Sequence, residues 1–217
     1  MTNNNTWEKN FVNFSKKFNI IKTLGEYNYK KYIYLTSKDD TILDFGCGSG
    51  ELINFFKEKN FKKIFGYDVT DNLINPNLKS IVITDLSANF RGLDKINFNI
   101  VFFNGCLHHL NEPFETIKKL RDIYKENSNK KRLKIIILEP INTPLRLLGE
   151  FIILKTFIGK NLFKDLKNCL IAEWSTYEPW KKLSNYSINQ KLTNLGFKKE
   201  KMKRTLFNIE LIYVFNA

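Results

Sequence analysis

The feature that most constrains the fold is a glycine-rich segment between an apolar run and an amphipathic run, ILDFGCGSGELINFF at residues 42–56. The first run is typical of a buried strand and the second of a helix, so the glycines lie in the turn between them. Missing side chains let a ligand approach the main chain, and the start of a helix presents free backbone N–H groups. The segment therefore predicts a strand–turn–helix unit that holds a ligand.

Short apolar runs alternate with helical or irregular segments through the next hundred residues. Runs that are apolar at consecutive positions suit strands covered on both faces, as in a doubly wound α/β sheet. Crossover helices are predicted at 50–59 and 112–125, whereas the segments that follow the second and third strands are predicted to be short or irregular. The five predicted strands contain TILDF, KKIFGYDV, SIVITDL, FNIVFFN and LKIIILEP.

The two ends of the chain add helices and a hairpin to this plan. Residues 1–36 predict an N-terminal helical cap, because aromatic residues recur there at helical spacing. Residues 141–184 are rich in Leu, Phe, Ile and Trp and predict a helical insertion, or lid, after the fifth strand. Two alternating runs near the C terminus predict an antiparallel pair at the sheet edge. No linker divides the chain, so we predict one domain over 1–217.

The glycine spacing argues against a dinucleotide. A dinucleotide fingerprint is G-x-G-x-x-G, whereas here the spacing is G-x-G-x-G and Glu51 stands where the last glycine should be. A carboxylate beside a pyrophosphate would repel it, so the predicted nucleotide lacks phosphates. Asp68 follows Gly50 by 18 positions at the end of the second strand. An acid at about this distance is placed to accept hydrogen bonds from ribose hydroxyls.

In these motifs the chain resembles class I S-adenosylmethionine-dependent methyltransferases, of the small-molecule type that contains an LHHL sequence. The resemblance covers residues 34–140 in motif detail and the terminal hairpin in outline. It implies a Rossmann-like, doubly wound sheet of seven strands, mostly parallel with an antiparallel last strand, and S-adenosylmethionine as cofactor. The residues that match the family's cofactor-binding motifs are Asp44, Gly46, Cys47, Gly48, Gly50, Asp68, Val69, Asp85, Leu86, Asn104 and Gly105.

Ordinary structural roles remain open for several of these residues. Asp68 could cap the turn after its strand, Asn104 could serve only the turn before Gly105, and Cys47 could be a small filler. One departure from the family pattern is Asn99, where an Asp often precedes the fourth strand.

His108 and His109 are the only histidines in the chain. An imidazole titrates near neutral pH, so one of them is a candidate general base, although an LHHL sequence can also be merely a wall of the site. We predict no metal site, because two adjacent side chains rarely point at one ion and the cysteines lack paired spacing. Further candidates for the rim of an acceptor pocket are Glu139, Trp174, Tyr177 and Trp180, although each of the three aromatic residues could instead pack in the core.

We therefore predict methyl transfer from S-adenosylmethionine to a small or medium-sized acceptor, with oxygen slightly favoured over nitrogen or carbon. The formal charge of +13 leaves an RNA acceptor open, but the lysines are spread along the chain, which argues against nucleic acid. A segment at 145–168 mixes apolar residues with Lys155, Lys160, Lys164 and Lys167, which leaves peripheral membrane contact and a lipid-linked acceptor open. The alternative outside the enzymes is a module that binds the cofactor without catalysing a reaction.

The polar N-terminal sequence predicts that the chain has no secretory signal and lies in the cytoplasm.

Overall fold

A computed structural model describes residues 10, 29–30, 32–85, 87–127, 132–140, 144–157, 163–204 and 208–216. In this part of the chain one sheet has the strand order β3-β2-β1-β4-β5-β7-β6. Strands β1 to β5 are parallel, whereas β7 runs antiparallel to β5 and to β6. The predicted seven-stranded, doubly wound sheet with an antiparallel last strand is confirmed. The strands are β1 Ile42–Phe45, β2 Ile64–Asp68, β3 Val82–Thr84, β4 Ile100–Asn104, β5 Arg132–Pro140, β6 Lys198–Arg204 and β7 Asn208–Asn216.

Five α-helices accompany the sheet within the described residues. Both predicted crossover helices are present, and the segments after β2 and β3 contain only short 3₁₀ turns, as expected from their sequences. The region after β5 is helical, which confirms the predicted insertion. The helices are α1 Glu51–Glu58, α2 Pro113–Asn127, α3 Pro144–Lys155, α4 Lys164–Lys181 and α5 Asn185–Asn194.

Side chains of successive strand residues enter two separate apolar layers, as the pleat of a strand requires. On the face that α1 covers, Ile42 and Phe102 pack with Tyr29, Tyr32 and residues of α1. We call this the α1 face. On the opposite face, which we call the α2 face, the core residues of β1, β4 and β5 pack with α2 and α5. The α2-face core includes Leu43, Phe45, Val101, Phe103, Ile135, Ile137, Ile117, Leu120, Ile188 and Leu192.

Asn99 joins the starts of β1 and β4. Its amide oxygen accepts a hydrogen bond from the Thr41 backbone N–H at 2.8 Å, and its amide nitrogen donates to Asp40 Oδ1 at 2.6 Å. An Asp at this position would face the Asp40 carboxylate and repel it. The departure from the family pattern therefore follows from the neighbouring acid.

Most of the predicted N-terminal cap, 1–36, lies outside the described residues, and the division of the chain into cap, core and lid stays a prediction. The described part contributes Tyr29 and Tyr32 to the core of the α1 face, where they are 6% and 1% exposed.

Within the described residues, no helix is both long enough and apolar enough to cross a bilayer.

Candidate active site

The predicted site residues gather at one edge of the sheet. Asp44, Asp68, Asn104 and Glu139 stand at or near the carboxyl ends of β1, β2, β4 and β5, which are neighbours in the sheet. Carboxyl ends of parallel strands meet at one edge, and in open α/β sheets ligands bind outside that edge. The topology thus brings the predicted cofactor turn and the two histidines to the same side of the molecule.

The turn after β1 is shaped by its glycines. Gly46 has φ 72°, and a Cβ there would lie 2.6 Å from Cys106 Cβ, so only glycine lets these two segments approach. Gly48 also has a positive φ, but a Cβ on it would meet no heavy atom of the described residues within 4 Å, and the same is true of Gly105. Open space therefore lies beside Gly48 and Gly105, where a ligand can reach the main chain.

Asp68 holds this turn against the end of β2. Its Oδ2 accepts a hydrogen bond from the Gly48 backbone N–H at 2.8 Å, and its Oδ1 accepts from the Thr70 N–H at 3.2 Å. The turn-capping role is therefore present, and ribose binding by Asp68 stays a prediction. Val69, the next residue, is 41% exposed at the same edge.

Asp85 organises the loop that follows β3. Its carboxylate accepts hydrogen bonds from its own loop, and Tyr67 Oη donates to it at 3.3 Å. The bonds from the loop, above all the one from the Ser87 hydroxyl, lower the pKa of Asp85 to about 2. Cofactor binding by Asp85 stays a prediction, and its neighbour Leu86 lies outside the described residues. The donors from the loop are the Ser87 N–H and hydroxyl and the N–H groups of Asn89 and Arg91.

Asp44 is a buried acid of the site whose carboxyl group has no hydrogen-bond partner among the described residues. The residue is 3% exposed. Burial, followed by the negative charge of Asp68, raises the pKa of Asp44 to about 8. Buried polar groups usually have a partner, so an unpaired carboxyl at a ligand-binding turn indicates a group that a cationic ligand completes.

These features fit S-adenosylmethionine, which carries no phosphate and two positive centres, the sulfonium and the α-ammonium. Among the described residues the Asp44 carboxyl group has no hydrogen-bond partner, and the space beside Gly48 and Gly105 admits a ligand. Cys47 is 8% exposed, and its Sγ lies over Gly66, where a Cβ would meet it at 2.8 Å. Cys47 therefore packs within the turn, and cofactor binding by Cys47 stays a prediction.

A buried carboxylate pairs with one of the two histidines. Glu139 is fully buried, and its Oε2 lies 2.7 Å from His108 Nδ1. Its Oε1 accepts hydrogen bonds from the backbone N–H groups of Cys106 and Leu107 at 2.8 and 2.7 Å. Glu139 thereby fixes both the imidazole ring and the turn that carries it, across the ends of β4 and β5.

This contact determines which ring nitrogen of His108 carries the proton. A carboxylate only accepts hydrogen bonds, so Nδ1 donates and the lone pair of the neutral ring lies on Nε2. His109 differs from His108, because it is exposed and its ring lies beside that of His108 with 4.0 Å between the centroids. The structure thus distinguishes the two histidines, and a role as general base stays a prediction for both.

The helices after β5 close over this pair. The Tyr177 ring of α4 meets the His108 ring edge-on, with 5.5 Å between the centroids, and Tyr177 Oη donates to the buried Glu150 of α3 at 2.5 Å. Trp180 Nε1 donates to the Pro140 carbonyl at 3.0 Å within the α2-face core. The Trp174 side chain lies outside the described part of the chain. Of the predicted rim residues, Glu139 and Tyr177 therefore contact His108.

The predicted membrane-facing segment has a mixed surface. Lys155 and Lys164 are exposed, whereas Lys167 Nζ donates to the Leu154 carbonyl at 3.0 Å, and Lys160 lies outside the described residues. Membrane contact stays a prediction. The exposed large apolar residues in the described part of this region are Leu147, Leu148, Phe151, Phe157 and Ile171.

Among the described residues, no group of three or more His, Cys, Asp or Glu side chains is arranged to hold a metal ion.

Comparisons with known proteins agree with this geometry. A family model described as a methyltransferase domain matches residues 19–129, slightly more than half of the chain. The plantazolicin methyltransferase BpumL, solved in complex with SAH, is 16% identical, with a TM-score of 0.64 over 96% of this chain and 90% of that chain. A SAM-dependent methyltransferase from Archaeoglobus fulgidus is 18% identical, with a TM-score of 0.60 over 94% of this chain and 99% of that chain. No curated protein matches the sequence.

The chain belongs to the methyltransferase-domain family and is a class I S-adenosylmethionine-dependent methyltransferase. The solved structures share its fold, and S-adenosylmethionine is its cofactor. The roles of the individual residues rest on the geometry described above.

Proposed function

We propose that this enzyme methylates a hydroxyl oxygen of a small or medium-sized acceptor, with His108 as the general base. The observation that carries the proposal is the 2.7 Å contact between His108 Nδ1 and the fully buried Glu139 carboxylate, at the edge where the cofactor turn lies. A buried carboxylate is costly unless it is paired, and this one is satisfied by two backbone N–H groups and the imidazole. Because Glu139 holds the proton of His108 on Nδ1, the Nε2 atom of the same ring is left as the proton acceptor.

A proton acceptor at this place favours a hydroxyl acceptor over an amine. A neutral amine already offers a lone pair, whereas a neutral hydroxyl is a weak nucleophile until it loses its proton. When bound, S-adenosylmethionine supplies an electrophilic methyl group, whose bond to sulfur breaks as its bond to the acceptor oxygen forms. The hydroxyl proton passes to His108 Nε2, and the Glu139 carboxylate stabilises the imidazolium cation that results.

The surroundings of His108 support a closed pocket for a small acceptor. His108 is 7% exposed, and Tyr177 and the buried Glu150 join α3 and α4 beside it. Exclusion of water strengthens the interaction between the imidazolium and the carboxylate. A long RNA acceptor would need a base or ribose to enter this enclosed space, so the burial of His108 supports a smaller substrate.

The nature of the product tests this proposal. The purified protein is incubated with methyl-labelled donor and a cell extract, and the label is then followed into small-molecule, lipid and RNA fractions. We expect the label in the small-molecule fraction, and mass analysis is expected to show a methyl ether. A methylated nitrogen or carbon, or label that remains in RNA or lipid, would contradict the assignment of a hydroxyl acceptor of this size. The Asp44→Asn protein serves as the control, because it is expected to bind the donor poorly.

A further inference from the structure

We propose that the outer side of α3 and the start of α4 form a docking surface for a membrane that contains anionic lipids. The proposal concerns where the enzyme binds and not which acceptor it methylates, so it goes beyond the proposed hydroxyl methylation and does not depend on it. We call this surface the docking face. Its residues, all of them exposed, are Leu147, Leu148, Phe151 and Lys155 of α3 and Lys164 and Ile171 of α4.

Helix α3 turns apolar side chains outward and its acid inward. Leu147, Leu148 and Phe151 are 47%, 55% and 59% exposed. Phe151 follows the two leucines by four and three positions, so the three side chains share one side of the helix. Glu150 of the same helix is buried instead, and its Oε1 accepts a hydrogen bond from Tyr177 Oη at 2.5 Å. A contiguous apolar surface of this kind marks a site of interaction with a partner or a membrane.

The charges beside these side chains select the partner. Lys155 ends α3 and Lys164 begins α4, and both are exposed. Lys167 Nζ donates to the Leu154 carbonyl at 3.0 Å, which holds the start of α4 beside the end of α3. Among the described side chains of residues 144–172, every exposed one is apolar or a lysine, and none is acidic. The surface therefore complements a partner that is both apolar and negatively charged.

An anionic bilayer fits this combination better than a second copy of the chain does. A helix at a membrane surface buries its apolar side at the boundary of headgroups and acyl chains, while lysines beside it meet the negative headgroups. A symmetric contact between two copies would bring the lysines of both docking faces together, in molecules that each carry a formal charge of +13. A nucleic acid would pair with the lysines but would offer no hydrocarbon to the apolar side chains.

Flotation of the full chain with phosphatidylcholine vesicles, with and without phosphatidylglycerol, tests the proposal. We expect the wild type to float with the anionic vesicles and not with the neutral ones. Leu148→Ser with Phe151→Ser is expected to weaken partition into anionic vesicles by roughly tenfold or more, because two apolar side chains are lost from the hydrocarbon boundary while the net charge is unchanged. Lys155→Glu with Lys164→Glu is expected to weaken it by at least about tenfold, since each lysine near an anionic leaflet contributes to binding.

Matched variants separate the docking face from the general positive charge of the protein. Tyr186→Ser with Met202→Ser removes two exposed apolar side chains from α5 and β6, and Lys198→Glu with Lys199→Glu makes the same change of net charge on β6. We expect both controls to lose much less binding than the docking-face variants. The melting temperature and the affinity for S-adenosylhomocysteine are expected to stay at the wild-type values in all four variants, because the changed side chains are exposed.

Three results would overturn the proposal. The first is a wild type that does not float with anionic vesicles even at low salt. The second is an equal loss in the docking-face variants and their controls, which would show binding through net charge alone. The third comes from light scattering without vesicles: a dimer that Leu148→Ser with Phe151→Ser dissociates, in a chain that binds no vesicles, would show a contact between copies. None of these results bears on the acceptor, because the measurements contain none.

Discussion

Glu139→Gln is expected to lower kcat with a hydroxyl acceptor by about 10²- to 10⁴-fold, the usual contribution of a general base. The glutamine oxygen can still accept from the N–H groups of Cys106 and Leu107, which Glu139 binds at 2.8 and 2.7 Å. Its NH₂ group would then face His108 Nδ1 and donate to it. The imidazole would be forced to carry its proton on Nε2, which removes the lone pair that accepts the acceptor's proton.

The measurements for this variant separate chemistry from folding. We expect kcat to fall while the donor affinity and the melting temperature change little, and His108→Gln is expected to show the same pattern. Both variants should lose much less activity on an acceptor analogue whose hydroxyl is already ionised at the assay pH. Glu139→Ala is the contrasting variant, because it leaves two buried N–H groups unpaired at a cost of about 1–3 kcal/mol each. An equal loss on neutral and ionised acceptors would contradict a general base.

Asp44→Asn is expected to change how the stability of the ligand-free protein depends on pH. The folded-state pKa of Asp44 is about 8, well above the ordinary carboxyl value of 3.8. Between these two values the folded chain binds more protons at this group than the unfolded chain does, so wild-type stability falls as pH rises. The groups that interact with Asp44 are Asp68, Tyr29, Cys47 and Cys106. Asparagine does not titrate, so in the variant this position does not lower the free energy of unfolding as pH rises.

Urea unfolding at several pH values between 5 and 8 measures the effect. Relative to the wild type, the variant is expected to gain on the order of a few kcal/mol across this interval, since each pKa unit corresponds to about 1.4 kcal/mol. An unpaired buried amide costs about 1–3 kcal/mol, so the variant can begin below the wild type at pH 5. Asp71→Asn changes an exposed acid near the same edge and is expected to follow the wild-type curve. Parallel curves for Asp44→Asn and the wild type would show that Asp44 does not titrate in this range.

Features that lie close together in the sequence could be predicted, and features that depend on long-range packing could not. The turn at Gly46 to Gly50 and the acids at the strand ends follow from local patterns, because strand, turn and helix are consecutive there. The pairing of His108 with Glu139 spans 31 residues and requires β4 to lie beside β5. The contact of Asn104 with Tyr29 spans 75 residues and requires both side chains to lie on the α1 face.

Asp85 shows a different limit of sequence interpretation. Its position at the end of β3 matched a family motif, but its carboxylate is engaged by backbone N–H groups two to six residues further along the chain. An acid followed by Ser and Asn is a common loop-capping pattern, and this signal was available in the sequence. The structure shows that the Asp85 side chain caps the following loop, and its part in cofactor binding stays a prediction.

A crystal structure of this chain with S-adenosylhomocysteine tests the central claim most directly. The claim is that the donor lies along the carboxyl edge of the sheet, with its sulfur open towards His108. We expect the ligand ammonium near Asp44 and space for one acceptor hydroxyl between the sulfur and His108 Nε2. A ligand that lies away from this edge, or whose sulfur faces away from His108, would contradict it.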